Sequence, residues 1–209
     1  MAGEEGPVKE TNGVARNMPD TRPRRVEAFL QISLDGYYSD SRGDMSFAHK
    51  PPDDAEWQQF MTENASGGGM LLFGRMTYEM MAAWWPTPMA AKAMPEVAAR
   101  MNAMPKLVFS RTLGSVDWTN TNLVKDDLIR TIRRLKREAG PDMAILGSGS
   151  IVTQLADAGL IDTFQVVVNP IALGGGRSLL SGLARPLDLE LTNTRVFGNG
   201  SVVLRYAPR

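Results

Sequence analysis

The stretch "DMAILGSGSIVTQLADAGLID", residues 142–162, carries a short apolar run into Gly147-Ser148-Gly149-Ser150 and then resumes as a helical segment that stops near Gly159. Strand, glycine turn and helix follow one another in that order. "GGMLLFGRMTYEMMAAWW" repeats the arrangement, with Gly74 at the turn, and "MPKLVFSRTL" supplies another short buried strand that ends in Ser110-Arg111-Thr112. Upstream, "RVEAFLQISLDGYYSD" reads as a strand entering a turn at Asp35-Gly36, and "PPDDAEWQQFMTENA" as a helix with prolines and acids at its start. The polar residues 39–50 between them read as a mobile loop.

"DDLIRTIRRLKREAG" places apolar residues at 128, 129, 132 and 135 on one helical face, and Gly140-Pro141 ends it. The last quarter changes character. "TFQVVVNPIAL" is β-branched and apolar, "LDLELTNTRVF" alternates through Leu187, Leu189 and Leu191, and Asn199-Gly200 signals a hairpin before "SVVLRY". The pattern predicts an α/β fold: a mixed, mostly parallel central sheet closed by antiparallel C-terminal strands, with helices on both faces.

The 209 residues, 43% of them hydrophobic, suffice for one core and one globular unit. Residues 1–23 are polar, contain Gly and Pro, and lack an apolar period, so they read as a flexible N-terminal arm ahead of a domain over 24–209. Lysine plus arginine equal aspartate plus glutamate at 23 each, which gives no electrostatic reason to expect a nucleic acid or an anionic membrane as partner. With no cysteine there is no disulfide framework, thiol nucleophile or cysteine-ligated metal, and the composition fits a cytoplasmic protein. No metal ligand set is expected. The single histidine, His49, reads as a solvated loop residue. No apolar run reaches the ~18 residues of a membrane span.

A strand that delivers its carboxyl end into a glycine turn and a helix leaves unpaired N–H groups aimed at one spot, with the positive end of the helix dipole behind them. Such a spot binds phosphate. Gly147 and Gly149 would admit an anion to the backbone and Ser148 and Ser150 would add hydroxyls; alternatively the glycines only meet unusual dihedral angles and serine caps the helix. The pattern is not a dinucleotide fingerprint of the G-x-G-x-x-G type, because Val152 stands where the third glycine belongs. Arg75 and Thr77 after Gly74, and Arg111 between hydroxyls, repeat the same opportunity at two more strand ends. Three such turns point to one ligand with several phosphates lying across one edge of the sheet.

Taken in order, "SLDGYYSD", "LLFGRMTYE", "KLVFSRTL", "ILGSGSIVTQLADAGLID" and "VNPIALGGGRSLL" resemble the dihydrofolate reductase-like superfamily, in particular the stand-alone branch similar to the reductase domain of the bifunctional riboflavin-biosynthesis deaminase-reductase. The resemblance runs from about residue 25 to 207. It implies a three-layer α/β sandwich that binds NADPH, is often a homodimer, and reduces a small nitrogen heterocycle by hydride transfer. By position, Gly74, Arg75 and Thr77 would cradle phosphates, Ser110 and Arg111 would hold the adenosine 2′-phosphate, and Gly147, Ser148, Gly149, Ser150, Ile151 and Val152 would wrap the pyrophosphate. Leu30, Gln31 and the Asp35-Gly36 turn through Tyr38 would lie by the nicotinamide. The chain departs from the bifunctional enzyme in having no cysteine for a zinc deaminase domain. It departs from folate reductases in placing Met104 and Pro105 where those enzymes carry a substrate-gripping arginine.

Hydride addition to a C=N bond needs a proton donor, and a carboxyl with a raised pKa is the usual solution where histidine and cysteine are lacking. The resemblance puts Asp54 in that place, with Asp53 and Glu56 as rivals; acids there also suit the first turn of a helix. The expectation is therefore an NADPH-dependent oxidoreductase acting on a pterin-, pyrimidine- or similar small molecule. The alternative is a non-catalytic dinucleotide-binding or assembly module of the same fold. Trp57, Tyr78, Trp84, Trp85 and the nearby methionines read as core or as an aromatic pocket, "RTIRRLKRE" as a solvated face, and "GGGR" at 174–177 as a close backbone approach or a wide turn.

Overall fold

A computed structural model describes residues 22–51, 53–67 and 69–209, and all counts refer to these. The chain runs β1 (Val26–Ser33), β2 (Tyr37–Ser39), α1 (Ala55–Ser66), β3 (Met70–Gly74), α2 (Arg75–Trp84), α3 (Pro88–Ala93), α4 (Pro95–Ala103), β4 (Lys106–Phe109), β5 (Thr121–Val124), α5 (Leu128–Leu135), β6 (Met143–Leu146), α6 (Gly149–Asp157), β7 (Thr163–Asn169), β8 (Arg177–Ser178), β9 (Leu189–Val196) and β10 (Val202–Pro208). Local chemistry sets the boundaries. Asp54 caps α1 by accepting from Trp57 N, Asp127 caps α5 by accepting from Arg130 N, and Gly159, at φ +65°, turns the chain out of α6.

The main sheet has eight strands in the order β5-β4-β3-β6-β1-β7-β10-β9. Pairing is parallel from β5 to β7, and β10 and β9 close that edge antiparallel. The mixed sheet expected from the sequence is thus present. Helices α1 to α4 cover one face of the sheet, and α5 and α6 cover the other. Side chains sort accordingly. Ala28, Leu30, Leu72 and Ile145 pack with Ile132, Val152 and Leu155, whereas Leu71, Phe73 and Val108 pack with Tyr78, Val97 and Met101. Phe29 joins Trp57 and Phe60 of α1 on that second face.

Several features differ from the sequence reading. Strand β5 lies in a stretch to which the sequence reading gives no element, and a small ribbon in which β2 pairs with β8 emerges from stretches read as turns. The ribbon explains "GGGR". A Cβ on Gly176, where φ is +144°, would lie 2.0 Å from Ser39 O, so only glycine lets the two segments meet. Residues 39–50 are held rather than loose: the Asp40 carboxylate accepts from the amides of Arg42 and Asp44 at 2.8 Å each, and Ser46–Ala48 form a 3₁₀ turn. The hairpin at Asn199-Gly200 forms, closed by Phe197 N–H to Ser201 O at 2.9 Å. Most of the expected arm, residues 1–21, lies outside the described residues, and Arg22 is fixed to the Asp142 carboxylate by two hydrogen bonds of 3.1 and 2.9 Å.

Candidate functional site

Strands β3 and β6 are neighbours, yet β3 feeds α2 on one face and β6 feeds α6 on the other. Their carboxyl ends therefore border the crevice at which open α/β sheets bind ligands. Two helix starts meet there. The Gly74 N–H donates to Ser148 Oγ at 3.0 Å, and the Ser148 N–H donates to Thr77 Oγ1 at 3.2 Å. To make this contact the β6 turn runs through left-handed backbone at Gly147 (φ +62°) and Ser148 (φ +51°), the second a costly conformation for a non-glycine residue. The next glycine has a different reason. A Cβ on Gly149 would stand 2.8 Å from the Tyr38 ring, so its bare Cα admits that ring to the start of α6.

Arg75 joins the third turn to the other two. Its Nε donates to Glu79 at 2.8 Å and its Nη1 donates to Thr112 Oγ1 at 3.2 Å, while Ser110 Oγ accepts from the Leu113 amide at 3.0 Å. Arg111 is exposed beside them. A cavity of about 1570 Å³ takes in all three turns: Gly74, Arg75 and Thr77; Ser110 and Arg111; Gly147, Ser148, Gly149, Ser150 and Ile151. Gln31, Tyr38, Lys50 and Trp57 line the same space.

Other predicted residues lie elsewhere. Leu30 is buried with the α5–α6 layer because strand side chains alternate, so Phe29 and Gln31 face the cavity and Leu30 faces away. Val152 is fully buried on the inner face of α6. Asp35 and Gly36 are outside the cavity wall. The Asp35 carboxylate accepts from Ser33 Oγ and from the amides of Leu173 and Gly174, which hold its pKa down at about 2.

Asp54 also departs from expectation. It caps α1, accepting from Trp57 N–H at 3.0 Å, and accepts from Asn199 Nδ2 at 2.6 Å. Those two hydrogen bonds favour the carboxylate and lower its pKa, the reverse of what a proton donor needs, and it does not line the cavity. The residue missed in the sequence is Lys50, whose loop context, "SFAHKPP", gives no periodic or motif signal. Its Nζ donates to Asn169 Oδ1 at 2.7 Å and stands 5.6 Å from the centre of the Trp57 ring. Burial lowers its pKa, with nearby Asp54 opposing.

The aromatic residues divide between core and surface. Trp57, Tyr78 and Trp85 are buried, whereas Met76, Met80 and Trp84 remain exposed along the cavity rim. The cavity offers helix-start amides, two arginines and several hydroxyls at one end. Elsewhere in its wall Gln31 Oε1 is buried with no partner among the described residues. A dinucleotide fits this donor set, because its phosphates need the first group and the carboxamide of its nicotinamide can give a hydrogen bond to the orphaned oxygen. No helix among the described residues is long and apolar enough to cross a membrane.

Comparison with known proteins gives concordant findings. The family described as the RibD C-terminal domain matches residues 24–203. The uncharacterized protein YyaP of Bacillus subtilis (strain 168) is 25% identical over 88% of this chain and 95% of its own length, and YwjB of the same organism is 24% identical over 88% and 97%. A proposed riboflavin biosynthesis protein from Shewanella sp. PV-4 superposes with a TM-score of 0.69 at 24% identity, over 88% of this chain and 99% of its own. A diaminohydroxyphosphoribosylaminopyrimidine deaminase/5-amino-6-(5-phosphoribosylamino)uracil reductase from Thermotoga maritima superposes with a TM-score of 0.60 at 14% identity, over 90% of this chain and 57% of that one. These structures share the fold.

Proposed function

This chain belongs to the RibD C-terminal domain family, and from that premise we propose that it is an NADPH-dependent reductase that transfers a hydride to a small nitrogen heterocycle of the pyrimidine or pterin kind. Family and fold support the reductase class. The observation that carries the cofactor reading is the meeting of three phosphate-type turns on one cavity, with Gly74, Ser148 and Thr77 hydrogen-bonded to one another. Bound NADPH would supply the hydride from its nicotinamide.

The chain's own residues bind and orient. Amides at the starts of α2 and α6 would take the pyrophosphate, aided by the Ser150 hydroxyl. Arg111, exposed next to Ser110, would take the 2′-phosphate, and Arg75, braced by Glu79 and Thr112, would face the phosphates as a fixed cation. Gln31 would accept the carboxamide N–H. Phe29, Trp57 and Met61 line the remaining space and would exclude water around the reacting ring. We propose with it a homodimer and a cytoplasmic setting, neither of which the site described requires.

Titration of the purified chain with NADPH and NADH, followed by nicotinamide fluorescence, tests the reading. NADPH should bind in the micromolar range and at least tenfold more tightly than NADH. Failure of both to bind overturns it.

A further inference from the structure

We propose that Lys50 is the cation that recognises the substrate, donating a hydrogen bond to a ring carbonyl or ring nitrogen of the heterocycle. This rests on the reductase reading and deepens it. Lys50 reaches the cavity from a loop whose end is pinned to the sheet. Its Nζ donates to Asn169 Oδ1 at 2.7 Å, and Asn169, wholly buried at the carboxyl end of β7, is itself fixed by donating to Ile32 O at 3.0 Å. An ammonium carries three N–H donors, and among the described residues only Asn169 accepts from this one.

The expected partner for a half-buried ammonium is a carboxylate, and here the arrangement withholds it. Asp54 is near enough to influence Lys50, but its two oxygens accept from Trp57 N–H and Asn199 Nδ2, and no ion pair joins it to Lys50 among the described residues. Packing alone does not explain a lysine here, because an apolar side chain of the same length would cover Trp57 without the cost of desolvating a charge. A partly desolvated cation with unused donors, in the wall of the cavity that should hold the reacting ring, is placed to bind an acceptor atom.

Gln31 Oε1, buried in the same wall without a partner among the described residues, goes to the nicotinamide carboxamide in the proposed function. The cationic donor alone then faces the ring, and it suits one that carries the carbonyl of a lactam edge. When the nicotinamide carboxamide occupies Gln31, Lys50 remains the group that selects for the ring carbonyl. Selectivity of this kind comes chiefly from the rejection of analogues that leave the buried polar group unpaired.

The test uses the full chain loaded with NADP⁺ and titrates 6-aminouracil, which has the lactam edge, against 2,6-diaminopyridine, which lacks the carbonyls, by calorimetry. Wild type should prefer 6-aminouracil at least tenfold. Lys50→Met should weaken 6-aminouracil tenfold or more, leave 2,6-diaminopyridine and NADP⁺ within twofold, and unfold at a similar temperature; Lys50→Arg should restore part of the preference. Equal 6-aminouracil affinity in Lys50→Met and wild type overturns the proposal, as does a loaded wild type that binds neither compound. A wild type that fails to bind NADP⁺ overturns the reductase reading itself, which the cofactor titration reports separately.

Discussion

Gly74 and Ser148, 74 residues apart in sequence, are joined by a 3.0 Å hydrogen bond from the Gly74 amide to the Ser148 hydroxyl. The bond spans the point where the chain leaves the sheet on opposite faces, so it sets the spacing of two helix starts. It also accounts for the strained backbone at Ser148, whose left-handed conformation aims both its hydroxyl and its N–H at the β3 turn.

Two substitutions at Ser148 separate these effects. Ser148→Ala loses the acceptor and keeps the strain, and Ser148→Gly loses the acceptor and relieves it. Both should weaken NADPH about tenfold, since roughly 1.4 kcal/mol is a factor of ten, while Ser148→Gly should melt higher than Ser148→Ala by about 1 kcal/mol of stability. Fluorescence titration and denaturant melts measure the two quantities. Unchanged affinity in both variants would mean the turn is only a structural joint.

Arg111 and Arg75 should behave differently from one another. Arg111 is exposed beside Ser110, so Arg111→Ala should weaken NADPH tenfold or more and NADH little, as removal of a cation from a 2′-phosphate requires. Arg75 bridges Glu79 and Thr112 and so braces two turns. Arg75→Ala should therefore weaken both cofactors. Equal losses for NADPH and NADH in Arg111→Ala would remove the 2′-phosphate assignment.

Much of this site was legible in the sequence because it is written in backbone chemistry. A strand that ends in glycine and is followed by a helix start fixes where amides point, so the sequence by itself brings Gly74, Ser110 and Gly147–Ile151 to one edge of the sheet. Residues whose position depends on strand alternation or helix phase were harder. Leu30 and Gln31 are adjacent in sequence and lie on opposite faces of β1, and only the packing of α5 and α6 against Leu30 decides which faces the cavity. Lys50 was invisible because its partner, Asn169, lies at the end of a strand 119 residues away. The β2–β8 ribbon was equally hidden, since it depends on Asp35 gripping the amides of Leu173 and Gly174.

Asp54 gives a prediction opposite to the one its position in sequence invites. Its carboxylate is stabilised by Trp57 N–H and Asn199, so it should stay ionised at neutral pH and donate no proton. Asp54→Asn, which preserves a capping oxygen, should leave the pH profile of NADPH oxidation unmoved and change the rate less than tenfold. Asp54→Ala should lower the melting temperature modestly, as a lost helix cap. A collapse of activity in Asp54→Asn with intact NADPH binding would restore the acid assignment.

Lys106 sets a stability limit away from the site. It is wholly buried, its Nζ donates to the carbonyls of Asn102, Met104 and Thr119 at 3.1, 2.7 and 3.0 Å, and it lies 4.4 Å from the centre of the Trp118 ring. Lys106→Met would leave the Met104 carbonyl without that donor, and should destabilise the fold by about 1–3 kcal/mol at pH 7. Burial also lowers the folded lysine pKa to about 8 from the ordinary 10.5. Between those values the unfolded chain binds the extra proton, so wild-type stability relative to Lys106→Met should rise as pH climbs through the window and level off above it. Urea melts of both proteins from pH 7 to 11 read the difference directly. A flat difference would mean that the three carbonyls and the indole ring stabilise the ammonium enough to cancel its desolvation.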